Sequence, residues 1–155
     1  MMEQQIMTFY LGDELYGIDI LTVKEVNDTY DLTQVPLSSD YILGLINLRG
    51  QIVTLLDLRT MLGYDPPEIG TGRLVILKTT QELSQAALAQ KTVTHQDHVG
   101  LLVDSIGNVV TCQLEDIQSV PANANAKLAE NMLGVISQGD TIIGIINLQQ
   151  LLEKC

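Results

Sequence analysis

Basic side chains are scarce in this sequence: eight lysines and arginines stand against nineteen aspartates and glutamates, for a formal net charge of −11. Phosphate recognition draws on clustered cations. No run of Lys or Arg interrupts the acidic average, which argues against nucleic-acid binding and against attachment to an anionic membrane surface. Cysteine is nearly absent as well. Cys112 and Cys155 are too few for a disulfide scaffold and have no Cys-x-x-Cys spacing. Cys112, in an alternating apolar segment, is expected to be a buried thiol, and Cys155 to fray at the end. No stretch reaches the roughly 18 uninterrupted apolar residues of a membrane span, because Asn, Asp, Arg or Gly breaks each run. The opening MMEQQIMTFYLGDE lacks the basic region, apolar stretch and small-residue cleavage site of a secretory signal. The expectation is a cytoplasmic chain with no direct membrane insertion.

The residues of catalysis are also missing. There is no nucleophile elbow, phosphate loop or glycine-rich dinucleotide fingerprint, and EIGTGR (68–73) has neither the spacing nor the following helix of one. Acidic residues are scattered singly, with no close pair for acid–base work. The only histidines, His95 and His98, lie in HQDH. A helix could bring them onto one face beside Asp97 as a weak metal site, but solvated loop histidines are the expectation. A ligand- or metal-responsive sensor built on HQDH is the rival from another class. The chain reads as a non-enzyme with no cofactor and no metal.

What is present points to a folded β protein. Hydrophobic residues make up 46% and charged residues 17% of 155, enough for one ordinary domain or two small lobes sharing a core. The apolar segments are short, rich in Ile, Val and Leu, and bounded by Gly, Asp, Asn or Pro, which favours many short strands. IMTFYLGDELYGIDI reads as a hairpin around Gly12-Asp13-Glu14. ILTVKEV (20–26) fits two states: Val23 and Val26 are spaced as on a helical turn that Asp19 could cap, and strand alternation fits almost as well. VPLSSDYILG suggests a turn capped by Ser38 or Ser39 and stopped at Gly44. GLINL and QIVTLLDL are two strands joined by Arg49-Gly50, where glycine permits a tight turn. A short helix should follow, capped by Asp57 and stopped at Gly63. Residues 79 to 98 form a polar excursion between strands, either partly helical or mobile.

An internal echo accompanies this parsing. LLDLRTML (55–62) aligns with IINLQQLL (145–152), and both predict a strand running into a helix capped by a short polar side chain, Asp57 or Asn147. GDELYGIDI and GDTIIGIIN share a Gly-Asp hairpin, an apolar pair and Gly-Ile. A rival register pairs GLINL with GIINL but implies no shared structural transition. Two related β lobes follow from the first register.

Only three arginines exist, and two of them, Arg49 and Arg59, fall within one short stretch. A charged side chain at a β turn is ordinarily just solvated. Arg49, however, precedes the glycine of a hairpin, so its guanidinium should project from a rigid end and offer several donors to a carboxylate or to carbonyls of a partner. Arg59, in the first turn of a helix, should be exposed or paired with a nearby acid.

FYLGDELYGIDILTVKEV, VPLSSDYILGLINLRGQIVTLLDLRTMLG, VGLLVDSIGNVV and GVISQGDTIIGIINLQQLL together resemble the CheW family, the coupling proteins of bacterial chemotaxis, across nearly the whole chain. The resemblance implies an all-β fold with short helices: two small five-stranded β-barrel lobes on a shared hydrophobic core, in one domain spanning 1–155. The first barrel is expected over about 15–70 with a C-terminal helix at about 148–155. The second is expected over about 72–147 with an N-terminal strand at about 5–14. It implies a non-catalytic adaptor linking chemoreceptor cytoplasmic tips to the regulatory domain of the histidine kinase CheA, held at membrane-associated receptor arrays. The alternative is an adaptor for twitching, gliding or another non-flagellar output. Arg49, of the Asn-Leu-Arg-Gly segment, falls at a position important for coupling, and Val23, Glu25 and Gly44 fall at receptor and kinase contacts. Asn47 and Gly50, in the same segment as Arg49, are counted with them. Two departures stand out: the excursion at 79–98 is longer than the family leads one to expect, and the residues after SVPANANAK match loosely. No appended receiver domain is expected.

Overall fold

The short apolar runs become strands joined by tight turns. The computed structural model describes residues 3–28, 30–34, 41–89, 92, 94–121 and 125–153. In chain order its elements are β1 (Glu3–Leu11), β2 (Glu14–Asp19), a 3₁₀ turn (Ile20–Thr22), β3 (Val23–Asn27), β4 (Leu32–Thr33), β5 (Ile42–Leu48), β6 (Gln51–Leu56) and α1 (Leu58–Met61). They continue with β7 (Arg73–Leu77), α2 (Gln85–Ala89), β8 (Val99–Val103), β9 (Ser105–Gln113), α3 (Ala126–Glu130), β10 (Met132–Gln138), β11 (Thr141–Ile146) and α4 (Leu148–Leu152). The turn expected at Ser38 or Ser39 lies outside the described residues, as does Cys155.

Three two-residue turns organise the strands. Leu11 opposes Glu14 around Gly12-Asp13, Leu48 opposes Gln51 around Arg49-Gly50, and Gln138 opposes Thr141 around Gly139-Asp140. The segment that fitted both helix and strand is both: Asp19 accepts from the Leu21 N–H at 3.0 Å to cap the 3₁₀ turn, and β3 follows at once. The helical spacing of Val23 and Val26 has a different origin. A register shift between Val23 and Glu25 against β7 leaves Lys24 as the extra residue of a β-bulge, so Val23 and Val26 both pack on the core although strict alternation would separate them.

The strands form two sheets, ordered β10-β11-β2-β1-β9 and β3-β7-β8-β6-β5-β4. The two lobes are present, but their ladders are open rather than closed into barrels, and the second sheet gains a sixth strand, the two-residue β4. Each sheet nevertheless curls until its outer parts meet. Gln138 of β10 donates to the Thr111 carbonyl of β9 at 3.5 Å, and the turn after β5 reaches β3 through Arg49 and Glu25.

The division of the chain between lobes differs from the expected 15–70 and 72–147. β2 belongs with β1, its hairpin partner, and with β11, which it pairs in parallel. β7 and β8 join β3 and β6 instead of the later strands. One sheet thus draws on residues 3–19 and 105–146, and the other, inserted between those stretches, on 23–103. For β2 the reason is local, because a two-residue turn commits it to β1; β7 and β8 are placed by pairing with strands distant in the chain.

Apolar side chains fill three clusters. Leu55, Ile76 and Leu102 lie among those inside the six-stranded sheet, and Ile6, Ile136 and Ile143 among those inside the other. The largest cluster, with Phe9, Tyr16, Leu56, Leu77, Leu101 and Leu151, draws on both sheets and on the helices that follow β6 and β11. Those two hairpin–helix units repeat each other in detail. Each carries a register shift in its first strand, between Ile42 and Gly44 or between Met132 and Gly134. Each closes with one bond from a cap N–H, Asp57 to the Tyr41 carbonyl at 2.8 Å or Asn147 to the Asn131 carbonyl at 2.9 Å. The caps are as read from the echo: Asp57 accepts from the Thr60 N–H at 3.0 Å and Asn147 from the Gln150 N–H at 3.2 Å.

The described part of the 79–98 excursion is partly helical and docked. α2 buries Ala87, and the Thr94 hydroxyl donates to the Lys78 carbonyl at 2.6 Å. Lys24 meets Glu82 at 2.5 Å.

Candidate functional site

Arg49 has φ 51° and is the one non-glycine residue with positive φ among the described residues; Gly50 follows at φ 87°. Two successive positive values are the pattern of a type I′ turn, whose twist suits a two-residue hairpin and which Asn-Gly or Gly-Gly normally fills. Arginine there costs about 1 kcal/mol of backbone energy. The repeat unit places Gly139, φ 59°, at the equivalent turn position. The strain is therefore borne for a side chain, not for a turn that glycine could make.

That side chain does not wave free. Arg49 Nη2 lies 2.5 Å from Glu25 Oε1, the arginine 65% exposed and the glutamate 26%. The bulge at Lys24 turns Glu25 away from the core side of β3, so that it meets a turn from the far side of the sheet. An ion pair this exposed contributes less than about 1 kcal/mol to folding. Its consequence is geometric: a guanidinium with donors to spare is held in a fixed direction.

The remaining predicted residues divide into those on this face and those that support it. Val23, at the start of β3, is partly buried against the shared core. Asn47 accepts the Gly50 N–H at 2.9 Å and braces the turn from below. Gly50 is exposed and supplies the second positive φ. Gly44 is not on the face. It is buried, and a Cβ there would run into the Thr33 carbonyl of β4, so this position, expected as a contact, has a packing role in the fold. Asp57, Gly63 and Asn147 act structurally. Asp57 also takes a 2.6 Å bond from the Thr60 hydroxyl, and Gly63 sits at φ 91° where a side chain would collide with Asn125.

Arg59 is paired, one of the two states expected of it. It meets Asp104 at 2.6 Å, donates from Nε to the Asp65 carbonyl at 2.8 Å, and stacks 5.5 Å from the Tyr64 ring centroid. Arg73 pairs with Asp28. All three arginines thus hold an acid, and Arg49 is the one that does so from an exposed turn.

Several contributors left no sequence signal because they join residues far apart in the chain. The Tyr16 and Tyr64 hydroxyls meet at 2.5 Å across the shared core. Burial, and then the Tyr64 hydroxyl, push the Tyr16 phenol up. Asn131, buried, donates to the Met61 carbonyl at 2.9 Å and ties α1 to the start of β10. Burial opposes the Glu82 charge, but the Lys24 ammonium and the Thr79 N–H outweigh it and hold the carboxyl at about 2. Cys112 is buried, as expected, and burial, then Asp116, raises its thiol.

His95 and His98 are three-quarters buried rather than solvated, facing Asp97 at 3.9 Å and Glu82 at 4.0 Å respectively. Among the described residues no group of three or more His, Cys, Asp or Glu side chains gathers as a metal would require. No helix among them is long and apolar enough to cross a membrane.

Comparison with known proteins matches this architecture along its length. The family model described as CheW-like domain fits residues 5–155. The chemotaxis protein CheW of Treponema pallidum is 30% identical over 152 residues, covering 97% of this chain and 82% of that protein. The chemotaxis protein CheW of Klebsiella aerogenes is 29% identical over 151 residues, with coverage of 97% and 82%. The crystal structure of the scaffolding protein TtCheW from Thermoanaerobacter tengcongensis superposes with a TM-score of 0.73 at 27% identity, over 94% of this chain and 89% of that one. With both sheets, both repeat units and the Arg49 turn inside the matched region, the chain belongs to the CheW-like domain family.

Proposed function

We propose that this chain is a non-catalytic scaffold of chemotaxis signalling, coupling the cytoplasmic tips of chemoreceptors to the regulatory domain of the histidine kinase CheA, and that Arg49 and Glu25 lie on its docking face. The observation that carries the assignment of the face is the Arg49–Glu25 pair. Two residues from separate segments, each matching a family contact position, meet at the exposed end of one sheet. One of them occupies a strained backbone conformation that folding alone does not call for. A partner carboxylate or row of carbonyls can take the guanidinium's remaining donors without dismantling the pair. Receptor association would hold the chain at membrane-bound arrays; among the described residues no helix is long and apolar enough to cross a membrane.

The test is reconstitution of a receptor cytoplasmic fragment, kinase and this chain. Arg49→Glu is expected to abolish receptor control of kinase activity while the chain stays folded, since a surface turn substitution shifts stability by only about half a kcal/mol. Unaltered kinase control with Arg49→Glu would place the docking face elsewhere.

A further inference from the structure

The described part of the excursion at 79–98, the stretch least expected from the resemblance, contacts β3 at Lys24, next to Glu25 of the candidate docking face. β3 carries its bulge at Lys24, between Val23 and Glu25. A bulge residue has no ladder partner of its own to hold it. Here the Lys24 ammonium is fixed 2.5 Å from Glu82 Oε2, with both side chains about 70% buried. Glu82 is fixed in turn, because its other oxygen accepts the Thr79 N–H at 2.9 Å as β7 runs into the excursion. His98 Nδ1, on the return to β8, faces that same oxygen at 4.0 Å. Further along, the Thr92 hydroxyl donates to Asp19 at 3.3 Å, just before β3.

The side-chain directions show what this grip controls. With the bulge in place, Val23 and Val26 face the core and Glu25 turns out to Arg49. Without it, strict alternation would return Glu25 to the face of Val23, and Arg49 would lose its ion-pair partner on β3. We infer that Glu82 is a positioning residue for the docking face: through Lys24 it pins the bulge that presents Glu25 to Arg49, which makes the excursion a strut of that face and not a passive loop. The link to docking rests on the scaffold function proposed above; the link to geometry does not.

The test uses the full chain, isotopically labelled, as wild type, Glu82→Gln, Lys24→Met and the reversed pair Lys24→Glu/Glu82→Lys. In Glu82→Gln and Lys24→Met, amide exchange at residues 23–27 is expected to quicken by about three- to tenfold. The Arg49 Nε–H resonance should move toward that of free arginine, and the reversed pair should restore both. Affinity for a receptor cytoplasmic fragment should weaken by a similar factor, about three- to tenfold. Unchanged exchange and an unmoved Arg49 resonance in Glu82→Gln would overturn the inference. So would an equal quickening in every strand, which lost stability alone produces. A wild-type chain that captures no receptor fragment would sink the scaffold reading instead, and the exchange and resonance data would still decide the strut.

Discussion

Replacing Arg49 by glycine should separate function from folding. In the native turn Arg49 sits at φ 51°, which costs a side-chain-bearing residue about 1 kcal/mol that glycine does not incur. Against that relief stand two losses. Glycine gives up more conformational freedom on folding, about 0.5–1 kcal/mol, and the Glu25 contact goes, worth about 0.2–1 kcal/mol for a pair whose arginine is 65% exposed. The three contributions nearly cancel, leaving a net change between no effect and a loss of about 1 kcal/mol. For a chain of 155 residues that shifts Tm by no more than about 2–4 °C. The guanidinium is meanwhile removed outright, so affinity for receptor fragment and kinase should fall by at least about tenfold, as a lost charge-assisted contact implies. Urea denaturation and titration of the same preparation give both numbers. A destabilisation above about 2 kcal/mol would refute the reasoning by making Arg49 a structural residue, and an unchanged affinity would refute it by making the cation dispensable.

Three further outcomes follow from the same geometry. Gly44→Ala should destabilise by more than about 2 kcal/mol, seen as a lowered urea midpoint, because its Cβ meets the Thr33 backbone carbonyl, which no rotamer change can clear. Asp57→Ala should cost about 1–2 kcal/mol by removing the cap of α1 and the partner of the Thr60 hydroxyl, and Asn147→Ala about 1 kcal/mol by removing one cap bond alone; thermal melts rank the two. Glu82 is held at about 2, below its unfolded value of 4.5, so its stabilising contacts should be fully present above about pH 4.5 and lost as pH falls through about 2. The stability gap between wild type and Glu82→Gln, followed by denaturation from pH 6 to 2, should therefore shrink on the acid side; a gap that widens there would contradict the assignment.

Much of this was legible in the chain because it is written locally. Two-residue turns announce themselves through Gly-Asp and Arg-Gly between apolar runs, and Asp57 and Asn147 stand where a cap must stand. The repeat was visible for the same reason, since equal turns and caps recur at matching places. What failed was pairing at a distance. The lobe boundary depends on which strands β7 and β8 choose, a choice made between residues 45 to 54 apart by packing that no short window records. The spacing of Val23 and Val26 hinted at a helix because a bulge, like a helical turn, brings residues three apart to one side. Arg49 is legible as a candidate from its place in a turn and from family resemblance, but its pairing with Glu25 becomes visible only when the sheet curls. Gly44 lies in the same segment as Arg49, and its close approach to the Thr33 carbonyl is visible only in the folded sheet.

The most direct measurement is backbone NMR of the labelled chain titrated with a receptor cytoplasmic fragment and, separately, with the CheA regulatory domain. The docking face described here predicts that at least one partner perturbs residues 23–27 and 47–51 first and most strongly, and that Arg49→Glu removes those shifts. Perturbations centred on the opposite hairpin around Gly139–Thr141, with 23–27 and 47–51 silent for both partners, would contradict it.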